Sequence, residues 1–139
     1  MPYDERFITP MRQELTRLGV QELRTGDDVD QALAEATEPT LLVVNSMCGC
    51  AARNARPGIA MALQQSEKKP VKLTTVFAGQ DLEATARARQ YITGYPPSSP
   101  SIALLKDGDV AYMMERHQIE GRPADAIAQD LVAAFEQYC

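Results

Sequence analysis

Basic residues are scarce in this chain. Fourteen Lys and Arg stand against 19 Asp and Glu, a net charge of −5. That excludes a nucleic-acid footprint, which needs a basic face. It also excludes attraction to an anionic membrane surface. Long apolar runs are missing too: none approaches the ~20 residues of a bilayer span. The N-terminus, MPYDERFITPM, is polar with early acids and lacks the pattern of a signal peptide. No nucleic acid and no membrane are therefore expected as partners, and the expected location is cytoplasmic. There is no internal repeat and no low-complexity segment. Histidine occurs once, as His117, and cysteine three times. Three is an odd number, and a cytoplasmic chain rarely carries structural disulfides, so a disulfide-stapled scaffold is excluded. In that compartment paired cysteines are more often redox-active or metal-binding.

What is present suits one globular domain over residues 1–139, with 45% hydrophobic and 24% charged residues in a length able to bury a core. Thr9-Pro10 reads as a helix cap with proline at the first helical position, and Gly19 closes that helix after Leu18. VQEL (20–23) reads as a short edge strand. DDVDQALAEA (27–36) reads as a helix with acids in its first turn, Asp27, Asp28 and Asp30 being a solvated start. TLLVVN (40–45) is a continuous apolar run, as in a strand buried on both faces. AARNARPGIAMALQQS (51–66) reads as a helix kinked or restarted at Pro57-Gly58.

VKLTTVFA (71–78) is the next strand and residues 81–92 the next helix, which Asp81 is placed to cap. TGYPPSSP (93–100) is a loop. SIALLK (101–106) and VAYMM (110–114) flank Asp107-Gly108, a hairpin signal. Met113-Met114 reads as strand packing. The C-terminal RPADAIAQDLVAAFEQYC (122–139) is an amphipathic helix with Pro123 near its start. This order predicts an α/β fold: a mixed central sheet with helices on both faces and an extra N-terminal helix. Such sheets react at the carboxyl ends of their parallel strands.

Cys48-Gly49-Cys50 falls at one of those ends, where a strand turns into a helix. Unpaired N–H groups and the helix dipole there favour a thiolate at Cys48. Arg53 and Arg56 can add positive potential from the same helix. The competing reading of Cys48 is a small buried apolar residue. A disulfide across one residue needs a turn, which Gly49 permits. The ring would be strained and readily reduced, poor as a staple but suited to exchange. An attacking thiol beside a resolving thiol follows. Metal sites also use Cys-x-Cys, but a tetrahedral site wants about four ligands, and only Cys139 and His117 remain, far away in sequence.

The segment before the third main strand is rich in proline. Ser99-Pro100 there admits either a cis bond, with Ser99 presenting backbone groups to an extended substrate, or an ordinary trans loop. His117 reads as a polar strand-end residue rather than a base. Cys139 reads as a bystander on a frayed terminus, with a second resolving thiol or a link in a homodimer as alternatives.

Together these blocks resemble the thioredoxin fold, a three-layer α/β/α sandwich, and within it the bacilliredoxin family, which carries Cys-Gly-Cys in place of Cys-x-x-Cys. PMRQELTRLG, ELRT, LLVVNSMCGCAA, ARPG, TVFAGQDLEATARAR, YPPSSPSIALLKDG, RHQIEGR and the final cysteine carry the likeness, which spans nearly the whole chain. The resemblance implies a thiol–disulfide oxidoreductase that strips bacillithiol, or a related small thiol, from mixed disulfides on client proteins. It implies Cys48 as nucleophile, Cys50 as candidate resolving thiol, and Pro100 as the cis-proline of the fold, with no bound cofactor and bacillithiol as thiol co-substrate. A general disulfide reductase or isomerase is the alternative enzyme. A metal or iron–sulfur carrier using the Cys-Gly-Cys pair is the alternative of a different class.

Overall fold

The computed structural model describes residues 2–139. A five-stranded sheet in the order β1-β3-β2-β4-β5 forms its centre. The strands are β1 (Gln21–Glu22), β2 (Thr40–Asn45), β3 (Lys72–Phe77), β4 (Ser101–Lys106) and β5 (Asp109–Met114). β1, β3 and β2 run parallel; β4 is antiparallel to β2, and β5 to β4. The helices are α1 (Glu5–Thr16), α2 (Gly26–Leu33), α3 (Arg56–Gln65), α4 (Leu82–Tyr91), α5 (Arg116–Ile119) and α6 (Ala124–Tyr138). A wide π-helical turn, Ala51–Ala55, runs directly into α3.

β2 occupies the middle of the sheet, and all six of its residues are buried. Alternation along the strand divides the core in two. Leu41 and Val43, with Ile102, Leu104 and Met114, pack under α1, α3 and α6 through Leu15, Ile59, Leu63, Ile127, Leu131 and Phe135. Leu42 and Val44, with Val76, Ala103, Leu105 and Met113, pack under α2 and α4 through Val29, Leu33, Ala84 and Ala88. Met113 and Met114 therefore serve opposite faces of the sheet. The expected three-layer sandwich with a mixed sheet is the architecture observed. At the β4–β5 turn, Asp107 and Gly108 both have positive φ, 54° and 81°, as a two-residue type I′ hairpin requires.

Local signals misplace several details. α1 starts at Glu5, not after Thr9. Asp4 is the cap, its carboxylate accepting the Arg6 N–H at 2.9 Å. Pro10 lies inside the helix on its exposed face, where water can reach the carbonyl that its missing N–H leaves unbonded. Thr9 bonds back to the Glu5 carbonyl instead of capping. The irregularity before α3 comes one turn earlier than Pro57-Gly58. The Arg56 N–H reaches the Ala51 carbonyl five residues back, and this wider turn makes room for a proline ring that would crowd the carbonyl four residues before it. Asp30 is not a solvated acid: it bonds Arg87 and the Tyr91 hydroxyl on α4. α5, a single turn containing His117, has no counterpart among the sequence signals.

Asp81 occupies the cap position of α4 but makes no capping bond. Its carboxylate accepts from Arg12 Nη1 at 2.6 Å and Nη2 at 3.0 Å. The Arg12 side chain is only 5% exposed, ion-pairs Glu5 and Glu22 as well, and lies 5.4 Å above the Phe77 ring. It ties α1, β1, β3 and the start of α4 together. Arg12→Met is expected to lower stability by about 2–3 kcal/mol. That is less than the full cost of a broken buried pair, because the abandoned acids retain some water. Urea unfolding checks it; a change below about 0.5 kcal/mol would show that the cluster is mere surface charge.

Candidate active site

The site is built where β2 ends. Asn45, the last residue of that strand, donates through Nδ2 to the Met11 carbonyl on α1 at 3.4 Å. Its Oδ1 accepts from the Ser46 N–H at 2.9 Å and from Arg56 Nη1 at 3.0 Å. Arg56 Nη1 also donates to the Ser46 carbonyl at 2.9 Å. The Arg56 side chain is 2% exposed, and Glu14 lies 3.2 Å from its Nε, an ionic contact without the alignment of a hydrogen bond. Residue 46 is thus held at both its N–H and its C=O. A buried guanidinium fills the space below it, and carbonyl and carboxylate oxygens supply the neutralisation such burial requires.

Ser46 in turn addresses Cys48. Its hydroxyl donates to Cys48 Sγ at 3.2 Å, and the Cys48 N–H points back at the same oxygen at 3.4 Å. Helical structure begins at Gly49, and the N–H groups of Ala51 and Ala52 bond the Cys48 carbonyl. Cys48 and Cys50 are free thiols, both half-buried, with sulfurs 2.7 Å apart. Burial pushes the Cys48 thiol up. The Cys50 thiol, the Ser46 hydroxyl and the Ala51 and Cys50 amides outweigh it, leaving Cys48 below an ordinary thiol. Cys50 moves the other way. Burial raises it, the bond it gives Cys48 and the charge that Cys48 carries raise it further, and Arg116 only partly compensates. The two thiols thus share one bond but have different jobs available: Cys48 is the readier to ionise and Cys50 the readier to donate.

Two open clefts meet at this pair. One is lined by Tyr3, Ser46, Met47, Cys48, Gly79, Arg89, Ser99 and Arg116. The other is lined by Cys48, Gly49, Cys50, Arg53, Asn54, Arg116 and Glu120. Gly49 does not use a left-handed backbone. Its missing side chain instead admits the Arg53 guanidinium, since a Cβ there would stand 2.6 Å from Arg53 Nη2. Arg53 therefore points over the dithiol and Arg56 under it, a division that sequence alone left open. The Ser99–Pro100 bond is cis, and Pro100 is buried at the entrance to β4. Ser99 lies across the cleft from Cys48, its carbonyl accepting from Arg116 Nη1 at 3.1 Å. Arg116 also pairs with Glu120.

His117 is exposed and lines neither cleft. Cys139 ends α6, packed against the core near Lys106 and Lys68. Leu105 pairs with Thr40, the first residue of β2, so Lys106 and Cys139 belong to the end of the sheet opposite Cys48. Among the described residues no three His, Cys, Asp or Glu side chains converge as metal ligands. Sequence reasoning missed Ser46, Asn45, Arg89 and Arg116. Only Ser46 carried a local signal, a hydroxyl two residues before Cys48.

A free dithiol at the carboxyl end of the central strand, facing across a cleft the residue before a buried cis-proline, defines a thioredoxin-like redox site. The fold agrees. The crystal structure of a complex of ferredoxin:thioredoxin reductase with thioredoxin f2 matches over 85% of this chain and 93% of the matched chain, with a TM-score of 0.53 and 18% identity. The family model described as disulphide isomerase matches residues 3–139. A bacilliredoxin of Salinibacter ruber is 59% identical, covering 100% of this chain and 82% of that protein. Bacilliredoxins of Koribacter versatilis and Geobacillus kaustophilus are 56% and 49% identical, each over 99% of this chain and 94% of theirs. The chain belongs to the bacilliredoxin family, and the family names place it in thiol–disulfide redox chemistry.

Alkylation of the two thiols followed against pH should give two separate midpoints, Cys48 below the free-thiol value of ~8.5 and Cys50 above it. Ser46→Ala removes a hydrogen bond that only the thiolate needs. The Cys48 midpoint should therefore rise and its reactivity at neutral pH fall. An unmoved midpoint would show that the backbone amides suffice.

Proposed function

We propose that this protein removes a low-molecular-weight thiol, bacillithiol being the first candidate, from mixed disulfides on cytoplasmic client proteins. The observation that carries the reading is the asymmetry of two thiols whose sulfurs lie 2.7 Å apart, one lowered and one raised. The relatives named bacilliredoxin support the choice of small thiol.

The Cys48 thiolate attacks the small-thiol sulfur of the mixed disulfide. The client sulfur leaves with the bonding electron pair and takes a proton from water, so the client is reduced. Cys48 now carries the small thiol. Cys50, losing its proton as it attacks, displaces that thiol and leaves a Cys48–Cys50 disulfide, which an external dithiol or thiol must reduce. Alternatively a second molecule of the free small thiol attacks the adduct, releasing its symmetrical disulfide and restoring the Cys48 thiolate. Gly49 and Ser99 line the two clefts and, with Pro100 directly after Ser99, border the path proposed for the incoming disulfide. Tyr3 and Met47, both exposed on the cleft rim, offer apolar contact to the client. No bound cofactor is needed for either route.

Intact mass spectrometry on Cys50→Ser, mixed with a bacillithiolated model protein and separately with a glutathionylated one, tests this. An adduct on Cys48 with the client thiol freed is expected, and Cys48→Ser should give none. Adducts absent from both donors, with turnover of ordinary protein disulfides, would instead make it a general reductase or isomerase. Stoichiometric zinc or iron in untagged protein, lost in Cys50→Ser, would replace the redox reading with a metal carrier.

A further inference from the structure

Arg89 stands apart from the other half-covered arginines; Arg53, which borders the thiols from the other cleft without an ion pair, is exposed to water. Arg12, Arg56, Arg87, Arg116 and Arg122 each have a carboxylate within ion-pair distance. Arg89, on α4, has none among the described residues, and its Nε is enclosed with no hydrogen-bond acceptor. Burial accordingly weakens its hold on its proton. Its side chain is a wall shared by two spaces. One is a small pocket beneath the Tyr95–Ser98 segment, closed by Ile92 and Met113. The other is the cleft into which Cys48 opens. An enclosed guanidinium nitrogen with neither acceptor nor counter-ion is costly, and the rest of the Arg89 side chain is half-buried at the cleft wall. The neighbouring Arg116 is already occupied by Glu120 and the Ser99 carbonyl. Arg89 is thus the cation on this side of the thiols whose hydrogen bonds are still to be made.

We propose that Arg89 binds a carboxylate of the small thiol carried by the mixed disulfide, and so sets the sulfur of that thiol, rather than the client sulfur, toward Cys48. The proposal rests on the redoxin reading above. Small thiols built on cysteine, bacillithiol and glutathione among them, carry free carboxylates on the groups attached to the cysteine, several bonds from sulfur, and a planar guanidinium is matched to a carboxylate in two parallel hydrogen bonds. An acidic side chain of the client offers the same group, so the test must separate the two sources. Attack itself is unchanged: the bond to the client breaks, the bond from Cys48 to the small thiol forms, and the client sulfur leaves with the electron pair.

The experiment compares Cys50→Ser with Cys50→Ser/Arg89→Gln. Adduct formation on Cys48 is timed by quenching and intact mass against three donors. The first is a neutral cysteine peptide carrying glutathione or bacillithiol, the second the same peptide carrying 2-mercaptoethanol, and the third an acidic cysteine peptide carrying 2-mercaptoethanol. The client leaving group is the same in the first two, and the variant-to-parent ratio cancels each donor's intrinsic reactivity. Loss of a charge-assisted pair should slow the first donor about 10- to 100-fold, with changes below about twofold on the other two. Arg89→Lys, which keeps the charge without the fork, should lose less, and it carries the test if the glutamine variant does not fold. Equal slowing on all donors would make Arg89 a structural residue, and no slowing would remove it from recognition. Slowing confined to the acidic peptide would assign the carboxylate to the client. Each of these overturns the proposal. A parent that forms no adduct with any donor would instead overturn the redoxin reading on which it stands.

Discussion

The buried guanidinium of Arg56 is the contact on which the site depends. A strand buried on both faces ends in polar groups that have no ladder partner, and those groups must be satisfied where water is excluded. At the end of β2 one arginine meets this need: it binds the Asn45 side chain and the Ser46 carbonyl together. Because Asn45 also holds the Ser46 N–H and the Met11 carbonyl, the turn is fixed from α1 and α3 at once. The Ser46 hydroxyl is then left in one place, beside Cys48 Sγ. The reactivity of the half-buried sulfur traces back to a charge that never touches it.

Period and punctuation made much of this legible in the sequence. The six apolar residues of β2 leave no polar face, so a central strand was the natural reading. Asp107-Gly108 needs two left-handed residues and can hardly be anything but a hairpin. The dithiol at a strand-to-helix junction was equally plain, because it depends on neighbours in sequence. The rest depends on neighbours in space. Asp81 has the right residue type to cap α4, and only the arrival of Arg12 from α1 diverts its carboxylate. Thr9-Pro10 mimics a helix start, but Asp4 had already supplied one. Arg53 and Arg56 lie three apart, a spacing that puts both on one side of a regular helix. The π turn between Ala51 and Ala55 breaks that regularity, so one points above the dithiol and the other below. A four-residue helix such as α5 is too short to show a period at all.

Charge shows the same split between what a total reveals and what a location reveals. A net charge of −5 argues against polyanions as partners, yet the walls beside the thiols carry Arg53, Arg89 and Arg116. Apart from Glu120, which pairs with Arg116 at the cleft, the acids lie elsewhere, Glu5, Glu22 and Asp81 among them in the Arg12 cluster. A local field of opposite sign to the whole is what a site needs if it is to attract a small anion while the protein as a whole repels a polyanionic one.

The way the thiolate is stabilised also bears on how well it can react. An ion pair in direct contact with Cys48 would lower its pKa further, but nucleophilicity falls as pKa falls. Here the sulfur receives dispersed support: a hydroxyl at 3.2 Å, a neighbouring thiol and two backbone amides. Arg53 lies over the adjacent glycine rather than on the sulfur, and Arg116 bonds the Ser99 carbonyl and Glu120. Weak, separable bonds of this kind favour the anion and can be surrendered one at a time as the sulfur forms a new bond. The Cys50 thiol is the last of them to go. Once Cys48 is an adduct, that sulfur no longer carries the charge that raised Cys50 and no longer accepts its proton. Two of the causes that kept the second thiol protonated disappear together. In the exchange proposed above, the same step that uses Cys48 therefore readies Cys50 to resolve the adduct, and one glycine between two cysteines suffices for both.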